Sequence, residues 1–401
     1  MSAQMSAYRS PSNDDVAGLG TEPIPAGPYY RADYFELERE AVFKRTWLQI
    51  GHVSELPEPG CFIVRGVEIA GASILLVRNR DGQIRAFHNV CTHRGTQLVA
   101  EESGKRPVFS CRYHGWTFGQ DGQLRSAPDF ERFYVDKASC GLARVAVDVC
   151  AGLIFINLDP SPAQGLREFL GSLASRLEAL PVARATHFSE YVYEIDANWK
   201  LTYDNFQENY HLRFIHPGTG RAASSPENPF GYPAGHDFHG VHRTQTIWTN
   251  PLATIEPVQG VAFGELMRFA SQDGSGSGAD TKEYFALFPN FFLFGSPAQP
   301  FSHSVMPIRA DRSRGVVRIY WIGADQCASQ RFAREYSMAT LRDVHAEDRA
   351  VIEAGQRGLS SGALQHIHFQ SQEVLCRHLI HNVDAMVQGW KAGRMPAGVA
   401  Q

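Results

Sequence analysis

A chain of 401 residues with 43% hydrophobic and 20% charged side chains has room for two or three ordinary domains and a sizeable core, which excludes a disordered or fibrous protein. Its formal net charge of -4 lacks the basic footprint of nucleic-acid binding, and no apolar run approaches the length of a membrane span. Seven scattered cysteines are too few for a disulfide framework, and residues 1–20 lack the apolar centre of a signal peptide, so the expected setting is cytoplasmic, without nucleic acid or membrane as partner.

Residues 1–22, rich in Ser, Asn, Asp and Gly, read as a disordered lead, with order expected from Pro23. Segment 23–48 is helical by its pattern: Phe35, Leu37, Ala41, Val42, Phe43 and Trp47 recur near helical spacing among charges, and the helix is expected to pack on the domain that follows. From 49 to 160 the chain changes to short alternating apolar runs such as CFIVRGV and ARVAVDVC, with Asp81-Gly82 and Asp121-Gly122 as hairpin signals. That pattern predicts an antiparallel β domain. Pro160 to Pro162 forms a joint, after which residues 161–401 make a second domain. Leu166–Leu180 predicts one helix, Phe188–Ile195 a strand, and the β-like runs between Tyr232 and Gly323 a second antiparallel sheet. Ser271 to Thr281 reads as a flexible loop, and 331–359 and 371–393 as closing helices. The expected fold class is α+β, an all-β domain followed by a sheet flanked by helices.

Two short ligand pairs stand in the first domain, Cys91-Thr-His93 and Cys111-Arg-Tyr-His114, separated by the seventeen residues 94–110. Each follows a strand-like run, so both occupy loops held by a sheet. A zinc finger pairs Cys with Cys and then His with His, whereas here each pair holds one of each. That arrangement lets both thiolates reach one iron and both imidazoles the other in a 2Fe-2S cluster, where histidine ligation raises the reduction potential. Tyr113 and Trp116 are placed to shield such a cluster.

The second informative stretch runs from Asn198 to His216. On a helix through Tyr210, Glu208 and His211 would share a face, and His216 reaches the same ion if the helix ends before Pro217. Two imidazoles and one carboxylate leave an iron with open positions for dioxygen. Asp348 is preferred as that carboxylate, with Glu347 and Asp343 as alternatives that spacing does not rank. Asp204 and Asn205 are candidate supporting groups. His236, His239 and His242 suggest another ligand set, but strand-like alternation favours a core or solvated role, and Phe285–Phe294 reads as buried sheet.

Through these motifs the sequence resembles the Rieske non-haem iron oxygenases, the large-subunit family of the aromatic ring-hydroxylating oxygenases. The resemblance includes RTWLQIGHVSELP from Arg45, the Cys-His pairs followed by Gly115 and Trp116, Asn198-Trp-Lys with its NFxExYHxxxxH continuation, and EDxxxxExxQxG from Glu347 to Gly358. It implies that Cys91, His93, Cys111 and His114 bind the 2Fe-2S cluster and that His211, His216 and Asp348 bind mononuclear iron. It further implies a head-to-tail homotrimer in which Glu208 joins an iron histidine to a cluster histidine of the next subunit; a small β subunit is an alternative addition. Glu at that position is typical of the carnitine and betaine branch, where many ring dioxygenases have Asp. The implied partners are a reductase or ferredoxin drawing on NAD(P)H, dioxygen and a small organic substrate. The function first expected is hydroxylation of a hydrophobic aromatic compound. The alternative is a monooxygenase or N-demethylase acting on a quaternary ammonium or N-methyl substrate, and the distant one an electron-transfer Rieske protein without oxygenase activity.

Overall fold

The computed structural model describes residues 18–220, 223–250, 253–272 and 283–394. The chain divides into two compact units, one of Arg39–Phe169 and one of Met1–Glu38 with Leu170–Gln401. The expected loop at Ser271 to Thr281 lies, from 273 on, outside the described residues, as does most of the expected lead. Among the described residues, no helix is long and apolar enough to cross a membrane. None of the seven cysteines is in a disulfide.

The chain enters through β1 (Ile24–Pro25) and α1 (Ala32–Glu38), followed by a π-helical turn at Arg39–Phe43. Order begins before Pro23, because Arg377 donates to the backbone oxygens of Glu22 and Thr21. The expected helix over 32–47 is shorter: α1 ends at Glu38 within the second unit, and Arg39–Phe43 falls in the first. Buried Glu38, at its end, accepts from Lys200 Nζ at 2.5 Å and from Trp199 Nε1 at 3.0 Å, which ties α1 to the second unit. A buried pair of this kind needs both partners, since removing one strands the other charge in an apolar interior.

The first unit is mainly β. Its strands are β2 (Leu48–His52), β3 (Cys61–Val67), β4 (Ala72–Arg78), β5 (Ile84–His88), β6 (Ser103–Lys105), β7 (Val108–Ser110), β8 (Thr117–Gly119), β9 (Leu124–Ser126), β10 (Arg144–Cys150) and β11 (Leu153–Asn157). They form an antiparallel seven-stranded sheet, in the order β2-β11-β10-β5-β4-β3-β6, and a three-stranded sheet, β7-β8-β9. Both Asp-Gly pairs turn hairpins as expected, β4 to β5 and β8 to β9.

Where the chain passes from the first unit to the second, Leu166–Leu180 is two helices rather than one, α2 (Leu166–Leu170) and α3 (Leu173–Glu178), because Gly171 turns the chain left-handed at φ 54°. Next come β12 (His187–Ile195), α4 (Trp199–Asp204), α5 (Leu212–Ile215), β13 (Gly235–His239), β14 (His242–Thr246) and α6 (Pro257–Gln272). The chain closes with β15 (Glu283–Leu287), β16 (Phe291–Gly295), β17 (Phe301–Arg309), β18 (Arg312–Trp321), α7 (Ala328–Ser360), β19 (His366–Ile367) and α8 (Val374–Lys391). The sheet is antiparallel in the order β12-β18-β17-β16-β15-β14-β13, and β19 pairs with β1.

The 33-residue α7 buries Ala333, Ser337, His345, Asp348, Ile352, Gln356 and Leu359, a stripe at three- and four-residue spacing. Its polar members have specific partners or face the site. Gln356 accepts from Asn198 N at 2.8 Å and donates to Tyr29 O at 3.2 Å. Asn198 caps α4 by accepting from Lys200 N at 3.0 Å. Asn198-Trp-Lys and Gln356 thus lock the start of α4 against α7, the helix that carries Asp348.

Candidate metal centres

The two Cys-His loops of the first unit are built alike. Cys91 N donates to Thr96 O and Gly95 N to Cys91 O; Cys111 N donates to Trp116 O and Gly115 N to Cys111 O. Each loop needs a left-handed residue to close, supplied by Gly95 at φ 77° and Gly115 at φ 72°. The loops bring the His93 and His114 rings to 4.6 Å, and Cys91 and Cys111 lie buried close enough to interact. Burial and the facing Cys111 push the Cys91 thiol above its ordinary value, so this sulfur is suited to ionise with a cation beside it.

His93 Nδ1 and His114 Nδ1 are buried without a hydrogen-bond partner. Among the described residues, the only trio whose ligand atoms lie within 4.8 Å of one another is elsewhere in the chain, so these four do not close around one tetrahedral ion. Two sulfurs and two orphaned ring nitrogens fit a two-iron cluster instead. Trp116 is buried and stacks on His93 at 4.9 Å, while Tyr113 lies over His114 at 3.8 Å and is exposed. Phe130 and Phe133, which sequence reasoning missed, pack on Trp116 at 5.8 and 5.4 Å.

That other trio is His211, His216 and Asp348. The expected continuous helix through Tyr210 is absent: α4 ends at Asp204, and His211 is the N-cap of the four-residue α5. The Glu208 carboxylate accounts for the break, accepting from the backbone N–H groups of Tyr210 and His211. Glu208 also binds His211 Nδ1, and Glu347 binds His216 Nδ1 at 2.6 Å. Each ring's other nitrogen then faces Asp348 Oδ1, at 3.6 Å from His211 Nε2 and 2.9 Å from His216 Nε2. Burial works against protonating His216, but the Asp348 and Glu347 carboxylates outweigh it and raise its pKa.

Glu347 is thus a ring-orienting acceptor rather than a member of the trio, steadied by Thr219 Oγ1 at 2.6 Å. Asp343 is exposed beside Arg342 and stands outside the trio. Glu347→Ala is expected to weaken iron retention by roughly 10- to 100-fold, with Glu347→Gln in between because its amide oxygen still accepts from Nδ1–H. Competition with a chelator measures this, and wild-type retention in Glu347→Ala would contradict it.

The other expected site residues are dispersed. Asp204 accepts from Tyr29 Oη at 2.8 Å and from Gln207 Nε2 at 3.3 Å. Asn205 lines a small cavity with Asp204, Glu208, Glu373 and Cys376. His239 meets Ser172 and Arg176, His242 Nδ1 accepts from Phe288 N at 3.0 Å, and His236 has both ring nitrogens buried without partners. The three form no ligand set.

Burial pushes Asp204 up to about 7, against the opposing pull of Tyr29, Arg243 and Lys200. A carboxyl with a raised folded pKa contributes stability that is full below its unfolded pKa and lost as pH rises through the folded one. The loss from Asp204 therefore falls between about pH 4 and pH 7 and amounts to about 2 to 4 kcal/mol. The melting temperature of Asp204→Asn relative to wild type is expected to rise from pH 5 to pH 8; an unchanged or falling difference would refute this.

Comparison with known proteins agrees with this geometry. Residues 182–389 match the model for the ring hydroxylating alpha subunit (catalytic domain), and residues 46–145 that for the Rieske [2Fe-2S] domain. The carnitine monooxygenase oxygenase subunit of Escherichia coli (strain K12) is 34% identical over 264 residues, covering 59% of this chain and 68% of that protein. The glycine betaine monooxygenase oxygenase subunit of Pseudomonas aeruginosa (strain PAO1) is 28% identical over 368 residues, covering 85% and 83%. A solved structure of a quaternary ammonium Rieske monooxygenase, studied for carnitine oxidation by gut microbiota, superposes with a TM-score of 0.76 at 25% identity, covering 95% of this chain and all of that one.

Proposed function

Because the chain belongs to the ring hydroxylating alpha subunit family and is a Rieske non-haem iron oxygenase, we propose that it is the oxygenase component of a monooxygenase acting on a quaternary ammonium or N-methyl compound. The observation that carries this reading is the likeness to carnitine and glycine betaine monooxygenase subunits over at least two thirds of their length, joined to Glu208 at His211. The aromatic substrate first expected gives way to it. An electron carrier is set aside, because the second unit carries a complete ligand trio of its own.

The family's cofactors are a 2Fe-2S cluster and mononuclear iron, with dioxygen as cosubstrate and electrons from a reductase. Cys91, His93, Cys111 and His114 would hold the cluster, and His211, His216 and Asp348 the iron. When bound, the pair supplies single electrons and an open coordination face for dioxygen. The chain's own part is placement. Glu208 and Glu347 each hold one ring through Nδ1, so both Nε2 lone pairs point at one position. Glu208 is also the residue through which a neighbouring subunit's cluster would be linked in the head-to-tail homotrimer that this reading includes.

Rings supply the substrate wall. On the sheet, Phe292 pairs with His303, Tyr284 with Phe294, and Phe294 with Phe301, so one face carries these aromatic groups together. Tyr284 lies 4.4 Å from Phe292 and 4.8 Å from Phe294. Uncharged rings of this kind attract a quaternary ammonium through their faces. Phe285, Leu287, Phe291 and Leu293 alternate to the opposite face, and the run from Phe285 to Leu293 is buried throughout, as expected of sheet.

A substrate panel with a surrogate reductase tests the reading. Trimethylammonium compounds are expected to draw oxygen in step with product, and aromatic hydrocarbons to give only uncoupled peroxide. The reverse pattern would restore the aromatic substrate.

A further inference from the structure

Four rings that no metal ligation uses gather beside Asp348: Tyr193 of β12, Phe206 after α4, His303 of β17 and His345 of α7. His345 precedes Asp348 by three residues on the buried stripe of α7. Phe206 meets His303 edge-on at 4.4 Å and stacks on His345 at 4.9 Å, and the two imidazoles stand perpendicular at 5.0 Å. His303 is 1% exposed and His345 8%. Tyr193 reaches this group only because residue 315 is glycine, where any Cβ would fall 2.1 Å from the Tyr193 ring.

The hydrogen bonds fix which ring nitrogens carry protons. His345 Nδ1 is 2.6 Å from Leu341 O, and a carbonyl only accepts, so Nδ1 carries the proton and Nε2 a bare lone pair. Tyr193 Oη is 2.7 Å from His303 Nε2 and has no other hydrogen-bond partner among the described residues. Its O–H is satisfied by donating to Nε2, which leaves the proton of neutral His303 on Nδ1. Burial lowers the pKa of both histidines, and each therefore stays neutral. The two remaining atoms, His303 Nδ1–H and His345 Nε2, are buried without a partner. Native interiors seldom leave such groups unpaired unless a water or a ligand completes them.

We propose that His303 and His345 form a polar subsite for a substrate hydroxyl, His303 Nδ1–H donating to its oxygen and His345 Nε2 accepting its hydrogen. A hydroxyl donates and accepts at one atom, as this pair requires. A carboxylate can only accept and would face the His345 lone pair, and a quaternary ammonium offers neither role. The subsite rests on the reading that a small molecule is oxidised beside Asp348, and it narrows that class to hydroxylated members.

Matched pairs of compounds test it by calorimetric titration of the iron-loaded enzyme under anaerobic conditions. L-carnitine and γ-butyrobetaine differ by one hydroxyl, as do 2-phenylethanol and ethylbenzene. The hydroxylated member is expected to bind roughly tenfold or more tightly, and His303→Phe and His345→Phe to bring each pair within about twofold, with His345→Gln restoring part of the preference through its amide oxygen. Equal binding within both pairs in the wild type, or a preference that survives both phenylalanine variants, would overturn the subsite. A hydroxyl preference confined to the aromatic pair would sustain it while removing the quaternary ammonium reading. A crystal structure of the substrate-free holoenzyme gives a readout without any substrate. One ordered water bridging the two nitrogens supports the subsite, and a direct hydrogen bond between the two rings overturns it.

Discussion

Asp348→Ala is expected to strip the mononuclear iron and lower hydroxylation by roughly 1000-fold or more, while the 2Fe-2S absorption stays at wild-type strength. Asp348 is the only carboxylate in the trio, and its Oδ1 lies within 3.6 Å of both facing ring nitrogens. Two neutral imidazoles alone leave the ion's charge uncompensated. The side chain is 2% exposed, so its loss leaves a small polar gap at the site rather than a breach in the apolar core. Iron should fall from about three to about two atoms per chain, the remainder being the cluster. A variant that keeps about three irons and turns over would place the carboxylate elsewhere, with Glu347 the first candidate.

The second large effect is expected in the other unit. Cys91→Ser replaces a buried sulfur that faces Cys111, and a hydroxyl of ordinary acidity does not supply the anionic soft ligand that iron-sulfur chemistry needs. The visible chromophore is expected to disappear and iron to fall to about one atom per chain, held by His211, His216 and Asp348. NAD(P)H-dependent turnover should be lost with it. If Cys91→Ser retained the chromophore and reductase-driven turnover, the cluster assignment would be wrong.

These assignments were legible to different degrees. The Cys-His pairs could be read directly because a cluster loop is local: six residues closed by one left-handed glycine, just after a strand. His211 and His216 were legible from their spacing and Pro217, but the helix between Glu208 and His211 was not there. Its carboxylate takes the backbone N–H groups that a helix would have paired. The third ligand was ambiguous because Asp343, Glu347 and Asp348 share one helix, and only the buried stripe shared with His345 and Ile352 selects Asp348.

Long-range partners left no mark in the pattern. Nothing near Glu38 announces Lys200, and nothing near Tyr193 announces Gly315 and His303. The helix at Pro257–Gln272 was missed altogether, since Gly260 and Gly264 weaken its propensity and packing with α7 stabilises it instead. Gly171 divides a single apolar stripe between two helices without altering its period, so the break could not be seen in the stripe.

Product analysis under ¹⁸O-labelled dioxygen, with L-carnitine as substrate and a reductase supplying electrons, tests the function most directly. Oxidation of the quaternary ammonium compound is expected, with one labelled oxygen atom entering the organic product and the other leaving as water. Absence of that product, with two labelled atoms entering an aromatic ring in a parallel incubation, would contradict it.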